Sequence, residues 1–540
     1  MKLNYVGLQD TAAWEAANIE TLKFDWPAMV AQTEETPTWV HFGSGNLFRG
    51  FIARLHHDLL QKGLVKEGIV ACDTSTGYEI YEKLFVPNDC MTLLAALKAD
   101  GSIEKSVVAS LGMGLRSNPM YTEEFAKLKA VFENPSLQMV SYTITEKGYA
   151  LLGLDGEVLP KLAEDFKAGP DQCTQVMSVS TAMLWARFQA CAAPIAMVSM
   201  DNCSHNGEKL RASLVGVAKA WQEAGFVSPE FVTWIEDEKN VAFPWSMIDK
   251  ITPRSANEVA DLLEKDGVEE MQPLLTCKKS VIAPFVNAEI PEYLVIEDSF
   301  PNGRPPLEEA GVYMTNRETV NDSERMKVTT CLNPLHTTLA VYGCLLGYSR
   351  IAQELKDADL KKLIETIGYQ EGMPVVVDPK IIAPKAFIKE VIEQRFPNPF
   401  IPDEPQRIAT DTSQKVPVRF GETIKSYHNH PELEASSLTF IPLVLAGFLR
   451  YLMAIDDEGQ PMTCSQDPML DVLQAQLSGI AFGKPETVGD QLLPLLTNAN
   501  LFGIDLVEAG LSDKVQGMFK ELIAGPHAVR STLQRYLAQV

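Results

Sequence analysis

The first half of the chain alternates short runs of strand-forming residues with helical patterns. The apolar, β-rich runs lie at 38–42, 68–73, 137–144 and 193–200, and helical patterns lie at 51–60, 123–132 and 181–191. Alternation of this kind favours a parallel sheet with helical crossovers. We therefore expect an α/β fold in which polar side chains at the carboxyl ends of the strands form a site.

Beyond about residue 287 the pattern changes. A Pro/Gly-rich loop at 301–311 is followed by helical patterns that continue to Val540, interrupted by a Pro-rich segment at 395–420 that we expect to be a long ordered loop. We place a domain boundary at 286, which gives an N-terminal domain over 1–286, including an N-terminal arm, and a mostly α-helical domain over 287–540. Residues 207–240 are helical and acidic, and we expect them to form a surface excursion.

A glycine turn follows the first strand of the predicted sheet. Gly43 and Gly45 stand directly after the run at 38–42 and before a helical pattern. A strand, a glycine turn and a helix N-terminus can together hold a phosphate group, which predicts a Rossmann-like dinucleotide site. Phe48 occupies the usual place of the third glycine, and Arg49 is a candidate phosphate contact. An ordinary strand-to-helix turn is the alternative interpretation.

Acidic and amide side chains follow the later strands. Asp73 ends the second run, where a carboxylate holds the ribose 2′-hydroxyl of NAD and would repel the 2′-phosphate of NADP. A cap for the following turn is the alternative role for Asp73. Glu146, Asp201 and Asn202 follow the next two runs. These positions predict an active site at this edge of the sheet.

A second group of polar residues precedes a long apolar segment. Lys327, Asn333 and His336 lie within ten residues, and 335–348 is almost entirely small or apolar. Polar groups at the start of a buried helix must be satisfied by each other or by a ligand. The alternative interpretation is an Asn cap, with Pro334 at the first helical position and a core histidine.

Charge and cysteine content limit the possible partners and the compartment. The net charge of −24 argues against binding to nucleic acid or anionic membranes, so an anionic substrate would need a local basic pocket. Nine cysteines are scattered without metal-ligand spacing, which favours a reduced, cytoplasmic protein without a bound metal. We see no signal peptide and no apolar run of membrane-spanning length. We expect a monomer or a small homo-oligomer.

Seven motifs occur in an order that resembles a known family. They are VHFGSGNLFRGF, SYTITEKGY, DNCSHNG, FPWSMIDKITP, VIEDSFPNGRP, ERMK with LNPLH, and RIATDTSQKVPVR. Together they resemble the polyol-specific long-chain dehydrogenases, the mannitol dehydrogenase family. The resemblance implies a zinc-independent, NAD(P)-dependent oxidoreductase acting on a CH–OH group. It also implies a nucleotide-binding domain and a helical domain with the substrate between them.

The resemblance also implies roles for individual residues. Lys327 is the expected general base, Asn202 and Asn333 are the expected oxyanion donors, and His336 is expected to orient the substrate. The remaining roles are substrate binding by Asp249, Arg407 and Lys415, a proton path through Glu146 and Glu324, and cofactor binding by Gly43, Gly45, Phe48, Arg49 and Asp73. These assignments match the chemistry, because an alcohol that loses a hydride must also lose its hydroxyl proton.

One spacing departs from the family pattern. Asn333 stands six positions after Lys327, whereas the family usually places its asparagine five positions after its lysine. One extra residue rotates Lys327 by about 100° away from the face of His336, and Pro334 removes a helical hydrogen bond at the same place. We therefore hypothesise a π-bulge over 328–333, which would absorb the extra residue.

Several substrates and functions remain open. Arg254 is a basic residue where we expect a smaller one, and with Arg407 and Lys415 it could bind the carboxylate of a sugar acid. On that ground we expect the reduction of D-fructuronate to D-mannonate, with interconversion of fructose and mannitol as the second choice. An epimerase with tightly held NAD, and a catalytically inactive sugar sensor, are the further alternatives.

Overall fold

The computed structural model describes residues 1–74, 78–153 and 155–540, and the chain forms two compact units. The first unit comprises Met1–Lys98 and Ser102–Asn321, and the second comprises Ala99–Gly101 and Asp322–Val540. The division at Asn321 and Asp322 lies well beyond the boundary that we placed at 286. The reason is that strands after residue 286 pair with strands of the first unit, which a change in local pattern does not reveal.

The strands are numbered here in chain order. They are β1 (Ile19–Glu20), β2 (Trp39–Phe42), β3 (Ile69–Asp73), β4 (Thr92–Leu97), β5 (Ile103–Val108), β6 (Leu111–Arg116), β7 (Met139–Tyr142), β8 (Ile195–Ser199), β9 (Val241–Ala242), β10 (Ser246–Asp249), β11 (Leu274–Leu275), β12 (Val281–Ile282), β13 (Phe285–Glu289), β14 (Tyr293–Glu297) and β15 (Tyr313–Thr315).

A parallel sheet organises the first unit. In the described residues it has six strands in the order β6-β3-β2-β7-β8-β9, and every neighbouring pair is parallel. The strand order therefore reverses between β2 and β7. In doubly wound sheets the ligand binds at this reversal, outside the carboxyl ends of the strands. The predicted α/β class and the Rossmann-like parallel sheet are confirmed.

The helices are numbered in the same way. They are α1 (Thr11–Ala16), α2 (Trp26–Glu35), α3 (Ala53–Gln61), α4 (Thr122–Glu133), α5 (Pro160–Ala168), α6 (Val176–Ala190), α7 (Asn206–Glu223), α8 (Pro229–Glu236), α9 (Asn257–Lys265), α10 (Arg317–Met326), α11 (Asn333–Leu345), α12 (Ile351–Glu354), α13 (Ala358–Thr366), α14 (Pro384–Glu390), α15 (Pro405–Ile408), α16 (Thr412–Val416), α17 (Glu422–His428), α18 (Phe440–Tyr451), α19 (Leu470–Leu477), α20 (Leu493–Leu496), α21 (Ala499–Phe502), α22 (Ser512–Leu522) and α23 (Ala528–Leu537).

The parallel strands are buried on both faces, which is why they read as continuous apolar runs rather than as alternating ones. In β2, Val40 and Phe42 pack into a core with α4, α6, α7 and α8, whereas Trp39 faces the opposite core with α3. In β8, Met197 and Val198 divide between the same two cores. Side chains of successive residues in a strand point to opposite faces, so each strand supplies both layers.

The segment 207–240 is helical, as predicted, but the prediction that it is a surface excursion is wrong. Its helices α7 and α8 contribute Leu210, Leu214, Trp221 and Phe231 to the core on one face of the sheet. The acidic residues lie on the outer side of these helices, and they dominate the composition without determining the burial of the apolar side. An amphipathic helix presents both faces in one sequence window.

Smaller sheets surround the parallel sheet. One has the order β1-β5-β4-β13, another has the order β10-β14-β15, and β11 pairs with β12. The prolines at 244 and 253 are typical of a loop over 243–254, but Ser246–Asp249 forms β10 and pairs antiparallel with β14. Asp249 is consequently the last residue of a strand rather than part of a loop.

The second unit is mostly helical, as predicted. Its helices α11 and α18 consist almost entirely of buried residues and pack against each other. The Tyr342 hydroxyl donates to the Leu443 carbonyl at 3.0 Å across that contact. The predicted loop over 395–420 is largely short helical segments, because Pro405 and Pro417 each begin a helical turn. No helix in the described ranges is long and apolar enough to cross a membrane.

Candidate active site

The glycine turn lies where the strand order of the parallel sheet reverses. Gly43 directly follows β2, has a φ of +106°, and a Cβ there would lie 2.2 Å from the Thr143 carbonyl oxygen. Thr143 directly follows β7, and its amide donates to the Phe42 carbonyl at 3.0 Å. Glycine is therefore required at position 43 by the backbone conformation and by the close approach of these two strand ends.

Gly45 is not required by protein packing. A Cβ on Gly45 would meet no atom of the described residues within 4 Å, and its φ is not in the left-handed region. The space beside it belongs to a cavity of about 610 Å³ whose lining includes Gly43, Asp73, Thr145 and Asp201. A glycine beside open space lets a ligand approach the backbone closely, as a dinucleotide phosphate does at a strand-to-helix turn. The glycine turn thus fits a dinucleotide.

The missing third glycine has a structural counterpart two residues later. Phe48 is buried and stacks on His41 with the ring centroids 3.9 Å apart. The segment Phe48–Ile52 is a π-helical turn that leads into α3. Within it, a Cβ on Gly50 would lie 2.5 Å from Val286 Cγ1 of β13. Close packing of helix on sheet is thus provided by Gly50, and Phe48 acts as a core residue beneath the turn.

Arg49 is buried beneath the glycine turn, and its donors are directed to the protein. Its guanidinium donates to the Ser44 carbonyl at 3.1 Å, to Asn46 Oδ1 at 3.1 Å, to the Ala283 carbonyl at 2.9 Å and to Thr92 Oγ1 at 3.4 Å. Burial lowers the pKa of Arg49 to about 10. The contacts fix the shape of the turn, and a direct bond from Arg49 to phosphate stays a prediction.

Asp73 is the last residue of β3 and lines the same cavity. Its carboxylate accepts from the Tyr81 amide at 3.0 Å. Tyr81 begins the next π-helical turn, Tyr81–Phe85, so the alternative role of Asp73 as a cap is present in the structure. The cap does not remove Asp73 from the cavity wall, and the predicted contact with ribose stays a prediction.

A buried carboxylate joins the ends of β7 and β8. Asp201 accepts from the amides of Ile144 at 2.9 Å and Thr145 at 3.0 Å, and from the Tyr149 hydroxyl at 2.6 Å. Burial raises the pKa of Asp201 despite these three bonds. Thr145 has a φ of +67° and a ψ of 156°. The sequence places Asp201 after a strand, and its bonds to the chain that follows β7 arise from the fold rather than from the local pattern.

The remaining predicted residues of the first unit differ in exposure. Glu146 and Asn202 are exposed beside the Thr145 and Asp201 pair, and Glu146 forms an ion pair with Lys209 at 2.5 Å. Asp249 is buried at the end of β10, whereas Arg254 is exposed and its carbonyl accepts from Asn287 Nδ2 at 3.1 Å. Glu146, Asn202 and Arg254 are thus accessible to solvent.

In the second unit, Lys327 lies in a π-helical turn. Helix α10 ends at Met326, and Lys327–Cys331 has π geometry, with the Leu332 amide donating to the Lys327 carbonyl at 3.1 Å. The hypothesis of a π-bulge in this segment is confirmed. The Lys327 side chain is 2% exposed, and Glu324 lies one helical turn before it. The wider turn absorbs the extra residue in the Lys327–Asn333 spacing.

An arginine that we did not predict fixes the start of α11. Arg419 donates to the Asn333 carbonyl at 3.3 Å and to Thr337 Oγ1 at 2.6 Å. Burial lowers the pKa of Arg419 to about 10. Arg407, Asp411 and Lys415 follow one another at steps of four residues, and Arg419 continues this series. The four-residue spacing does not identify Arg419 by a shared helix face, because the segment is interrupted at Asp411, where φ is +54°.

His336 lies beside a buried carboxylate. Its Nε2 is 3.3 Å from Asp403 Oδ2, and its ring centroid is 5.2 Å from that of Phe396. Burial lowers the pKa of His336, although Asp403 opposes this effect. Burial also opposes ionisation of Asp403, but His336 and Arg407 outweigh it, and the pKa of Asp403 lies below its usual value. Asp403 therefore contacts two predicted substrate-binding residues, and the sequence did not single it out.

Lys415 completes a cationic cluster, which we define as Arg407, Lys415 and Arg419. The Lys415 amine donates to the Ile408 carbonyl at 2.9 Å and to the Thr410 carbonyl. Burial, followed by the neighbouring charge of Arg419, lowers the pKa of Lys415 to about 8. Among the described residues, no three His, Cys, Asp or Glu side chains are grouped so that they could hold a metal ion.

Two family models together match most of the chain. The Mannitol dehydrogenase Rossmann domain matches residues 37–309, and the Mannitol dehydrogenase C-terminal domain matches residues 319–523. The chain belongs to the mannitol dehydrogenase family. As a member of that family it is an oxidoreductase that acts on a CH–OH group and uses a nicotinamide cofactor.

Two relatives of this mannitol dehydrogenase family member have informative names. A protein of Thermotoga maritima named D-mannonate oxidoreductase is 49% identical over 541 residues, which cover 100% of this chain and 99% of the relative. A protein of Gluconobacter oxydans named Polyol:NADP oxidoreductase is 30% identical over 431 residues, which cover 78% of this chain and 81% of the relative. Neither name is that of an epimerase, so that alternative has no support from these two relatives.

Two solved structures share the fold. Mannitol 2-dehydrogenase of Pseudomonas fluorescens, in a ternary complex with NAD and D-mannitol, has a TM-score of 0.69 and 24% identity, with 100% of each chain covered. D-sorbitol dehydrogenase in a substrate-free form has a TM-score of 0.75 and 24% identity, with 96% of this chain and 100% of that chain covered. At this level of identity the likeness shows the fold of the family.

Proposed function

We propose that this oxidoreductase reduces D-fructuronate to D-mannonate with NADH and catalyses the reverse oxidation with NAD. The observation that carries the proposal is the full-length similarity, at 49% identity, to a protein named D-mannonate oxidoreductase. Interconversion of fructose and mannitol is the competing possibility, and the difference between the two substrates is a carboxylate. The charge around the predicted substrate residues therefore bears directly on the choice.

The cationic cluster of the second unit suits a sugar acid. The whole chain has a net charge of −24 and would repel an anion, so a carboxylate must be attracted by local positive charge. Burial of Arg419 and partial burial of Lys415 strengthen hydrogen bonds from these cations to a carboxylate. We propose that Arg407 and Lys415 bind the acid end of the substrate, with Arg254 as a further cation and Asp249 as the partner of a hydroxyl.

We propose that Lys327 transfers the proton. In reduction, the carbonyl carbon receives the hydride and the carbonyl oxygen receives a proton from the Lys327 ammonium; in oxidation the neutral amine takes that proton back. Withdrawal from water favours the neutral form of an amine, which is the form that accepts a proton. The side chain of Lys327 is almost fully buried, as this role requires. Glu324 and Glu146 would return the proton to solvent.

The amides of Asn202 and Asn333 are proposed to donate to the oxygen that becomes charged. Neutral donors stabilise an alkoxide without adding a fixed charge to the site. The position of Asn333 is held by Arg419 through the Asn333 carbonyl. His336 would orient a substrate hydroxyl by accepting its hydrogen bond at Nδ1, because Nε2 faces Asp403 at 3.3 Å.

The proposed cofactor is NAD rather than NADP. Bound NADH supplies the hydride. Asp73 would accept a hydrogen bond from the ribose 2′-hydroxyl, and its carboxylate in the cavity wall would repel a 2′-phosphate. Gly45 leaves the backbone open to the pyrophosphate, and Gly43, Phe48 and Arg49 shape the turn beneath it.

The test is a comparison of substrates and cofactors on the purified protein. We expect oxidation of NADH with D-fructuronate at a kcat/KM at least about tenfold above that with D-fructose, since one charge-assisted hydrogen bond contributes about 1.5–3 kcal/mol. We also expect NADH to be preferred to NADPH. A preference for fructose would identify a mannitol 2-dehydrogenase and would overturn the choice of substrate, while leaving the oxidoreductase class intact.

A further inference from the structure

Thr145 has a backbone conformation that side chains avoid. Its φ of +67° and ψ of 156° lie in a region that is almost restricted to glycine, and Thr145 carries a branched Cβ. Such a conformation persists only where the surrounding structure determines it. The residue lies three positions after the end of β7 and directly precedes Glu146, so its conformation sets the direction in which the chain leaves the sheet.

Asp201 is the group that holds this conformation. One carboxylate oxygen accepts from the Thr145 amide at 3.0 Å, and the other accepts from the Ile144 amide at 2.9 Å and the Tyr149 hydroxyl at 2.6 Å. The Tyr149 hydroxyl is also 2.8 Å from Ser199 Oγ. Asp201 is 7% exposed, so its bonds are protected from competing water. Charge-assisted bonds to two successive amides fix both peptide planes.

The anchored segment connects residues for which separate roles are proposed. Asn202, a proposed oxyanion donor, directly follows Asp201, and Glu146, a proposed proton-path residue, directly follows Thr145. Ile144, Thr145 and Asp201 line the cavity beside the glycine turn. A change in the Asp201 carboxylate would therefore displace the ends of β7 and β8 together.

We propose that Asp201 is a positioning residue for hydride transfer: by accepting the amides of Ile144 and Thr145, it holds Thr145 in its strained conformation and thereby aligns Glu146 and Asn202. Asp201 takes part in no bond-making step. This inference rests on the proposed function for the roles of Asn202 and Glu146. The anchoring of Thr145 by the carboxylate does not depend on the identity of the substrate.

The test is a double-mutant cycle with Asp201→Asn and Thr145→Gly. An asparagine retains the shape of the side chain but has only one accepting oxygen, so one of the two amides loses its partner. We expect Asp201→Asn to lower kcat by about 10- to 100-fold, somewhat less than the removal of a direct oxyanion donor, with KM for NADH changed by less than about threefold. Glycine adopts the conformation of Thr145 without strain. We therefore expect the fold loss of kcat caused by Asp201→Asn to be at least about five times smaller when residue 145 is glycine than when it is threonine.

A matched control is available in the same unit. Asp165 is also buried and also accepts from two successive amides, those of Thr174 at 2.9 Å and Gln175 at 2.8 Å. Neither of these residues has a positive φ, and neither lines the cavity beside the glycine turn. Asp165→Asn should lower the midpoint of thermal unfolding and leave kcat within about twofold. If loss of stability alone lowered kcat, both Asp165→Asn and Asp201→Asn would lower it. If positioning is the cause, only Asp201→Asn would lower it.

Several results would overturn the proposal. Parental kcat in Asp201→Asn would do so, and so would an equal loss of kcat with and without the Thr145→Gly substitution. If Asp201→Asn does not fold, Tyr149→Phe removes one of the three bonds, and it should lower kcat less than threefold in the Thr145→Gly background and more in the parent. If the parent reduces neither D-fructuronate nor D-fructose, the proposed function fails. The unfolding midpoints of the same cycle then decide the anchoring, which requires Asp201→Asn to cost fewer degrees when residue 145 is glycine.

Discussion

Two of the π-helical turns, one taken from each unit, use the same backbone geometry for different purposes. Phe48–Ile52 leads into α3 behind the glycine turn, and Lys327–Cys331 leads to α11. In the first turn every residue is buried, Phe48 stacks on His41, and the donors of Arg49 bind protein acceptors. In the second turn a buried lysine stands one position after the end of α10. The geometry of a π turn is therefore not in itself a sign of catalysis.

The difference lies in what the extra residue achieves. In the first turn it brings Gly50 against Val286 so that helix and sheet pack closely. In the second it changes the direction of Lys327 relative to Asn333 and His336, which lie beyond the break at Leu332, where φ is −132°. A π turn adds one residue per turn without disturbing the helix on either side. The first turn thus serves packing, and the second serves the alignment of side chains.

The largest expected effect comes from removing the Lys327 amine, a group that the first turn does not have. Lys327→Met should lower kcat by about 10²- to 10⁴-fold, the range for loss of a general acid or base, because no amine is left to transfer the proton. The affinity for NADH, measured by fluorescence titration, should stay within about threefold of the parental value, since the glycine turn is unchanged. Parental kcat in Lys327→Met would contradict a catalytic role for the second turn.

The next effect concerns the substrate carboxylate and has a pH dependence. Lys415→Met should raise KM for D-fructuronate by about 10- to 100-fold, as expected for loss of a charge-assisted hydrogen bond. Lys425→Met, which removes a partly exposed lysine paired with Glu422, is the control and should leave KM within about twofold.

The sign of the pH effect follows from the lowered pKa of Lys415, which is about 8. The amine is charged below that pH and loses its proton above it. KM of the parent for D-fructuronate should therefore rise between about pH 7.5 and 9, as measured by steady-state kinetics, while KM of Lys415→Met lacks this rise. A similar rise with D-fructose would show that the charge of Lys415 does not act on the carboxylate.

A smaller effect is expected from the packing turn. Gly50→Ala should lower the free energy of unfolding by about 1–3 kcal/mol, the usual cost of adding a methyl group to a filled core, because the new Cβ meets Val286 Cγ1. Combined Gly50→Ala and Val286→Ala should recover part of that loss. Denaturant unfolding measures both variants. An additive effect of the two substitutions would contradict the account of the first turn.

The last effect depends on pH and concerns a residue that packs on α11, the helix that follows the second turn. Glu354 of α12 packs on Gly343 of α11, is fully buried, and neither of its oxygens has a hydrogen-bond partner in the described part of the chain. Burial raises the pKa of Glu354 well above its usual value. The folded protein therefore keeps a proton that the unfolded chain releases, and stability falls as the pH rises above the unfolded pKa of about 4.3.

Glu354→Gln removes this titration. Relative to the variant, the parent should lose about 1.4 kcal/mol of unfolding free energy for each pH unit above about 5, until the folded carboxyl itself ionises. Denaturant unfolding at about pH 5, 6 and 7 measures the two slopes. Equal slopes for parent and variant would show that Glu354 is ionised in the folded protein.

Local patterns predicted the parts of the fold and site that depend on neighbours in sequence. The strands β2, β3, β7 and β8, the glycine turn after β2 and the buried helix after Pro334 follow from the spacing of a few residues. The π turn follows from the departure of the Lys327–Asn333 spacing from the family pattern. The roles of Arg419 and Asp403 were missed because they arise from contacts with residues 82 and 67 positions away, Thr337 and His336. The same limitation explains the domain boundary, which depends on the pairing of β13 and β14 with earlier strands.

The composition of a segment led to a wrong prediction where acidic and apolar residues lie on opposite sides of the same helix. The acidic residues of 207–240 suggested a solvated segment, although Trp221 and Phe231 bury large apolar surfaces in the core. Asp201 shows a related difficulty: its place after a strand was evident, but the peptide planes that it fixes belong to another strand. Side chains that stabilise an unusual backbone conformation give no sign in their own sequence window.

Because the space beside Gly45 is open, the requirement of folding and the requirement of ligand binding can be distinguished at this position. A methyl group at this position would encounter nothing in the described residues, so neither folding nor proteolytic surveillance would distinguish such a protein from its parent. The effect of the added methyl group would appear only in dinucleotide binding. We therefore expect a library selected for expression alone to retain substitutions at Gly45 that a library selected for dinucleotide binding would lose.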